Sequence, residues 1–400
     1  MSFKQWEVLN LEDICVSITD GAHSSPKSVE NGYPMASVKD MNYFEINLST
    51  CRQISEEDYL KLVKAKCKPE KNDILIAKDG SYLKHVHVVK EEKEVVILSS
   101  IAILKPNIKK IYPEFLRYYL LSPRAKTDLE MGYVSGSAIR RIVLKDFKRF
   151  PVQVPSIGEQ KAIAAILSSL DDKIELNNQM NETLEEMAQA LFKRWFVDFE
   201  FPNEEGQPYK SSSGEMVESE LGMIPKGWAV KGLGELINIS SGKRPSKKSS
   251  EKDKEYRYPL IGASSVMGYV LEPLCEDKIL VIGRVGTHGV VQRFCGPVWP
   301  SDNTLVIRTV YYEFINQILQ KIDYSAINRG STQPLITQTD IKNTKIIVPD
   351  KNLLKVYEEK CESLFNMIEH NELEKVYLGS LRDSLLPKLM SGEIRVSDLC

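Results

Sequence analysis

The chain is 400 residues long, 42% apolar and 27% charged, which supports two or more buried cores and excludes a disordered or low-complexity protein. No apolar run approaches the ~18 residues that span a bilayer, and the stretch from Met1 to Asn10 lacks the apolar segment of a signal peptide, so the expected location is the cytoplasm. The net charge of −2 does not exclude nucleic acid, because such binding follows local clustering, and here the acids gather in helical and connecting segments while the bases gather in loops.

Residues 1–155 mix short β-like runs, such as Ile74–Ile76 and Val95–Leu98, with a helical stretch from Pro113 to Leu121, the pattern of a mixed α/β globule. Two glycine-bearing basic loops stand out, one carrying Lys78 and Lys84, the other Arg140 and Arg141. His85 and His87 alternate as two ligands on one strand face would. No acidic or cysteine ligand pattern accompanies them, and the seven scattered cysteines contain no CxxC pair, so neither a metal site nor a disulfide framework is expected.

At Ser156 the pattern turns helical. Ser156 and Glu159 form a capping box, and the apolar seam then steps by four and three through Ile163, Leu167, Leu170, Ile174, Asn177, Asn181, Leu184, Ala188 and Leu191. This is the 3.5-residue period of a coiled coil, and a helix over 156–197 would be a rod of about 60 Å. Residues 198–227 have the proline, glycine, serine and acid content of an exposed linker.

A second mixed module occupies 228–349, with β-like runs at Ile279–Ile282 and Ile346–Val348 and a helical stretch from Glu313 to Ile322. Its basic loops carry Lys243, Arg244, Lys247 and Lys248, then Arg284, then Arg329 and Gln333. A second helix and tail follow over 350–400, with Asp350 as cap and a seam through Tyr357, Cys361, Leu364, Ile368, Asn371, Lys375, Leu378 and Leu385. Pro387 is expected to kink or end this helix.

The two halves echo each other. With one offset of 194 residues, Gly136 meets Gly330, Ile142 meets Ile336, Asp146 meets Asp340, Pro155 meets Pro349, and Asn177 meets Asn371. Upstream, Trp6, Leu11 and Ile14 answer Trp228, Leu233 and Leu236. The expected fold is therefore two copies of an α/β (mixed α+β) globular domain, joined by two long helices that pack as an antiparallel coiled coil about a pseudo-twofold axis. Asn177 and Asn371 are then either buried residues that fix helix register or residues on the helix flanks.

No nucleotide-binding, nucleophile-elbow, zinc-protease or dinucleotide motif is present, and no methyltransferase tetrapeptide. The basic loops instead offer lysine and arginine for phosphates, and arginine and glutamine for base edges. A coiled-coil scaffold that binds other proteins is the alternative.

Three stretches carry a family resemblance: Pro155 through Glu159-Gln160, Asp171-x-Lys173-Ile174-x-x-Asn177 and Phe192-x-x-Trp195-Phe196 on one helix; Ser219–Trp228; and Ser384–Val396. Together they resemble the specificity subunit of Type I restriction-modification systems. The resemblance implies a non-catalytic subunit with two target recognition domains, each reading one half of a bipartite double-stranded DNA target, and helices that set the spacing and dock two modification (methyltransferase) subunits. S-adenosylmethionine, ATP and Mg2+ would belong to those subunits and to the restriction (translocase/endonuclease) subunits, and this chain would bind no cofactor. Glu159, Gln160, Phe192, Trp195 and Phe196 would lie at a subunit interface, or the aromatic trio would fold back on the first module. Leu353 and Leu354 replace the Glu-Gln pair in the second copy, which departs from strict equivalence of the two partner sites.

Overall fold

The computed structural model describes residues 6–80, 85–136, 140–286, 289–330 and 335–396. The chain divides into two compact units, one formed by Met1–Asn178 with Glu372–Cys400 and the other by Gln179–Asn371. Each unit thus contains half of each long helix.

In the first unit a four-stranded antiparallel sheet runs in the order Cys15–Asp20, Ile101–Pro106, Ile74–Ala77, Val86–Val88. Alternation along the central strand explains its two covered faces. Ile74 and Ile76 join a core with the helix Pro113–Leu121 and with Ile163, Ala164 and Leu167 of the central helix, while Leu75 and Ala77 point the other way. A three-stranded sheet orders Arg52–Ile54, Tyr33–Ala36 and Val96–Ile97, the last pairing being parallel. Glu7–Asn10 pairs antiparallel with Pro151–Val154, just before the central helix starts.

The second unit repeats the sheets of this plan in the same strand order. Its four-stranded sheet runs Asn238–Ser241, Thr304–Arg308, Ile279–Gly283, Val291–Phe294. Its three-stranded sheet runs Val266–Val270, Tyr258–Ile261, Trp299–Pro300, again with one parallel pairing. Ala229–Gly232 pairs with Lys345–Val348 as the leading strand does in the first unit. The first unit adds the helices Glu56–Lys64 and Pro123–Gly132 to the shared plan.

The central helix spans Ile157–Phe192 and ends in a wider turn over Lys193–Val197. Only half of the expected capping box forms: the Glu159 N–H donates to Ser156 Oγ at 3.3 Å, while the Glu159 carboxylate accepts from Trp6 Nε1 at 3.2 Å and pairs with Arg395 at 2.5 Å. The C-terminal helix spans Lys351–Ser391 and continues through Pro387. Proline removes one backbone donor there, but Leu386, Leu389 and Met390 are buried in the first unit's core, and that packing holds the last turn together.

Within each unit the paired helix halves run antiparallel. In the first, Asn177 Nδ2 donates to Glu374 Oε2 at 2.8 Å, and Arg382 donates to Asp171 at 2.8 Å, so one number falls as the other rises. In the second, Asn371 Nδ2 donates to Asn181 Oδ1 at 2.8 Å. Asn177 and Asn371 are 0% and 5% exposed, which places them in the helix seam and not on its flanks.

The expected linker at 198–227 is folded. Phe199 and Phe201 pack on Trp228, Tyr209 stacks on Phe201, and Met216–Ser219 forms a hairpin with Gly222–Pro225. Its polar composition hides a few aromatics that find a core. No helix among the described residues is long and apolar enough to cross a membrane.

Candidate nucleic-acid interface

In each unit three loops gather at the sheet end where the edge strand finishes, and a close backbone crossing fixes them. After Cys15–Asp20 the chain passes so near the strand Val96–Ile97 that a Cβ on Gly21 would sit 2.2 Å from the Ile97 carbonyl oxygen. A Cβ on Gly242 would meet the Ser301 carbonyl at the same 2.2 Å in the second unit. Only glycine fits either position, which accounts for the Gly21/Gly242 correspondence.

The second loop follows the central strand. The Lys78 N–H donates to the Ser100 carbonyl at 2.9 Å, and its own carbonyl accepts from Ile142 at 3.0 Å. Arg284 does the same with Asn303 at 2.8 Å and Ile336 at 3.0 Å. Lys78 and Arg284 therefore occupy one structural position, and Gly80 and Gly286 beyond them both take positive φ, 68° and 86°.

Their side chains differ. Lys78 is buried and its Nζ lies 2.6 Å from Asp20 Oδ2. The expectation of Lys78 as a DNA contact is thus corrected: Asp20 already neutralises it out of solvent. Arg284 is half-buried and its side chain makes no ion pair among the described residues.

The third loop brings Arg140 and Arg141 beside Gly80, whose N–H donates to the Arg140 carbonyl at 2.7 Å; both arginines are exposed. In the second unit Arg329 is exposed but committed, since its Nε donates to Asp340 Oδ1 at 2.9 Å and its Nη2 shares that oxygen. Asp340 in turn closes the capping box of Thr337. Lys84 and Gln333 lie outside the described residues. Lys243, Arg244, Lys247 and Lys248 are exposed, and none makes an ion pair among the described residues. What the sequence missed here is Asp20, whose distance from Lys78 in the chain left no local signal.

The five residues expected at a subunit interface are taken up inside the chain. Phe192, Trp195 and Phe196 are at most 7% exposed in the second unit's core, where Phe196 packs edge-on to Phe314 and Tyr357. Their spacing of three and one is that of a buried helix stripe, and burial leaves no aromatic surface for a partner or for the first module. Gln160 is 1% exposed. Its Oε1 accepts from the Tyr112 N–H at 2.7 Å, capping the helix Pro113–Leu121, and its Nε2 donates to the Pro155 carbonyl at 2.9 Å. Glu159 is held by Trp6 and Arg395.

His85 and His87 do share a strand face, with rings 6.4 Å apart and nearly parallel. His87 is buried, and desolvation, reinforced by Arg117, pushes its pKa down to about 3, so it is neutral. No group of three metal ligands occurs among the described residues.

The family model for the Type I restriction modification DNA specificity domain matches residues 4–186 and 225–376. The chain is 27% identical over 429 aligned positions to the MjaIX specificity subunit of Methanocaldococcus jannaschii, covering 99% of this chain and 95% of that one. It is 26% identical to the HindI specificity subunit of Haemophilus influenzae, over 81% of this chain and 87% of the relative. In fold it is similar to the crystal structure of a Type I system S subunit from M. genitalium, with a TM-score of 0.60, 18% identity and 97% of each chain covered. Nothing in these comparisons supports the scaffold alternative.

Proposed function

Because the chain belongs to the Type I restriction-modification DNA specificity family, matched twice along its length, we propose that each unit reads one half of a bipartite duplex target and that the chain performs no chemistry of its own. The carrying observation is that three loops gather at the same sheet end in both units, the first of them pinned by Gly21 or Gly242, and that they present exposed cations at Arg140, Arg141, Lys243, Arg244, Lys247 and Lys248. Two binding faces on one chain suit a target with two half-sites. Exposed lysines and arginines neutralise phosphates, and arginine forks onto guanine.

In this reading the long helices set the unread spacer and carry two methyltransferase subunits. Those subunits bring S-adenosylmethionine and flip out an adenine, and restriction subunits bring ATP and Mg2+. The complex works in the cytoplasm, where its DNA is. Since Phe192, Trp195, Phe196 and Gln160 are buried, docking falls to exposed positions on the helices.

Methylation mapping by long-read sequencing tests this, in a host carrying this gene with a cognate methyltransferase and in one lacking it. The expected result is a split motif, two short half-sites around a fixed unread run, methylated only when this chain is present. No such motif beside an active methyltransferase would reject the reading. Lengthening the central helix by whole turns is expected to change the unread run and leave the half-sites alone.

A further inference from the structure

The first loops of the two units are topologically the same and differ in charge, one balanced and the other strongly basic. Each leaves its pinned glycine and is tied midway to the three-stranded sheet. Val29 donates to the Gln53 carbonyl at 3.0 Å in the first unit. Ser249 and Tyr269 exchange two bonds of 2.9 Å in the second, where Gly268 at φ 147° lets the backbones meet.

Between the pinned glycine and the next strand, the first unit's loop carries one lysine, Lys27, and one acid, Glu30, while His23 is turned to Asp20 at 3.2 Å. The nearby Arg52 faces inward and holds the loop by donating to the Pro26 carbonyl at 3.1 Å. The second unit's loop, over 243–257, carries seven lysines and arginines against three acids. Four of the cations, Lys243, Arg244, Lys247 and Lys248, fall within six residues, all exposed and unpaired among the described residues.

What these four can do follows from how they are held. Base reading is favoured by a donor fork held in place, by an ion pair as Asp340 holds Arg329, or by a half-buried and backbone-tied position as at Arg284. No neighbour orients these four, and three are lysines, which act as point charges. Six extended residues reach about 20 Å, enough to pass several phosphates spaced along a duplex groove.

We propose that the loop 243–257 is a phosphate clamp, which gives the second unit most of the chain's sequence-independent hold on DNA and leaves its topological twin in the first unit without that task. The proposal rests on the DNA reading above and assigns a division of labour within it.

The test measures affinity against salt for the chain with its methyltransferase partners, on a labelled duplex bearing the mapped target and on one with both half-sites scrambled. In the variant K243A/R244A/K247A/K248A, affinity is expected to fall on both duplexes by the same factor, and the salt slope to shrink by about three to four, ~0.9 for each phosphate no longer neutralised. Lys27→Ala is expected to shift the slope by less than about one. Loss confined to the mapped target with an unchanged slope would make the loop a base reader and overturn the clamp, as would unchanged affinity on both. If the unaltered complex bound neither duplex, the DNA reading itself would fall. A circular dichroism melt matching the parent's guards against misfolding, and a two-residue variant, K247A/K248A, with half the slope change gives an independent check.

Discussion

Asn371 and Asn181 face each other across the paired helices of the second unit, Nδ2 to Oδ1 at 2.8 Å, and both are buried. A polar pair in an apolar seam specifies one alignment, because sliding either helix by a turn breaks this amide–amide bond and sets each amide against apolar seam positions. Asn371→Leu is expected to cost about 1–3 kcal/mol by removing this bond between two buried amides. The double change Asn181→Leu/Asn371→Leu should recover stability while loosening the register. Chemical denaturation measures the first effect and cysteine cross-linking along the seam the second. Equal stability of single and double variants would refute the pairing.

The first unit depends on a charged counterpart. Asp171 is buried and accepts from Arg117 at 3.1 Å, Tyr118 at 2.8 Å and Arg382 at 2.8 Å, which joins the central helix to its own module and to the C-terminal helix. Arg117 is 7% exposed. Asp171→Ala should therefore cost roughly 3–5 kcal/mol, since it takes from the buried Arg117 guanidinium its nearest carboxylate and leaves only Glu114 at 3.9 Å. Arg382→Ala should cost less, because Asp171 keeps Arg117. Reversal of that order in urea unfolding would count against this account.

Acid should stabilise the second unit. Glu358 accepts from the N–H groups of Glu313 at 3.0 Å and Phe314 at 2.8 Å, capping the helix Tyr312–Lys321. Burial pushes its pKa up to about 7 from an ordinary 4.5. A raised folded-state pKa means a contribution present in full below about pH 4.5 and lost as pH rises through about 7. Glu358→Gln should flatten the stability profile in that window. An unchanged slope of urea midpoint against pH would contradict this.

Lys78 and Arg284 share a position, so matched substitutions separate structure from binding. Lys78→Ala removes the shorter and more buried of Asp20's two pairings and should cost stability, about 1–3 kcal/mol, with little direct effect on DNA. Arg284→Ala should leave the melting temperature alone and weaken target binding by about 1–3 kcal/mol, the size of one bidentate base contact. Both are read by melting and by fluorescence anisotropy, and identical behaviour of the two variants would remove the distinction.

Much of this fold is legible in the sequence because it rests on local rules. The 194-residue offset, the coiled-coil spacing and Asp350 as cap, which accepts from Leu353 at 3.0 Å, all reappear as structure. What was not legible depends on partners far away in the chain. Lys78 reads as a free cation until Asp20 is placed beside it, and the Phe192, Trp195 and Phe196 stripe reads as a docking surface until Phe314 and Tyr357 cover it. The cap also moved without trace. Gln160 serves the first unit, its counterpart Leu354 is buried and apolar, and Glu358, one helical turn on, takes over the task.

The division of the long helices between units bears on the order of assembly. The second unit is one continuous stretch, Gln179–Asn371, whereas the first needs Glu372–Cys400 to complete a core begun before Asn178. Leu386, Leu389 and Met390 fill that core from a point roughly two hundred residues downstream of Leu167, a loop closure that is slow by its length. During synthesis, then, the module that leaves the ribosome first is the one that finishes folding last, and it waits with an apolar face uncovered while its twin is made.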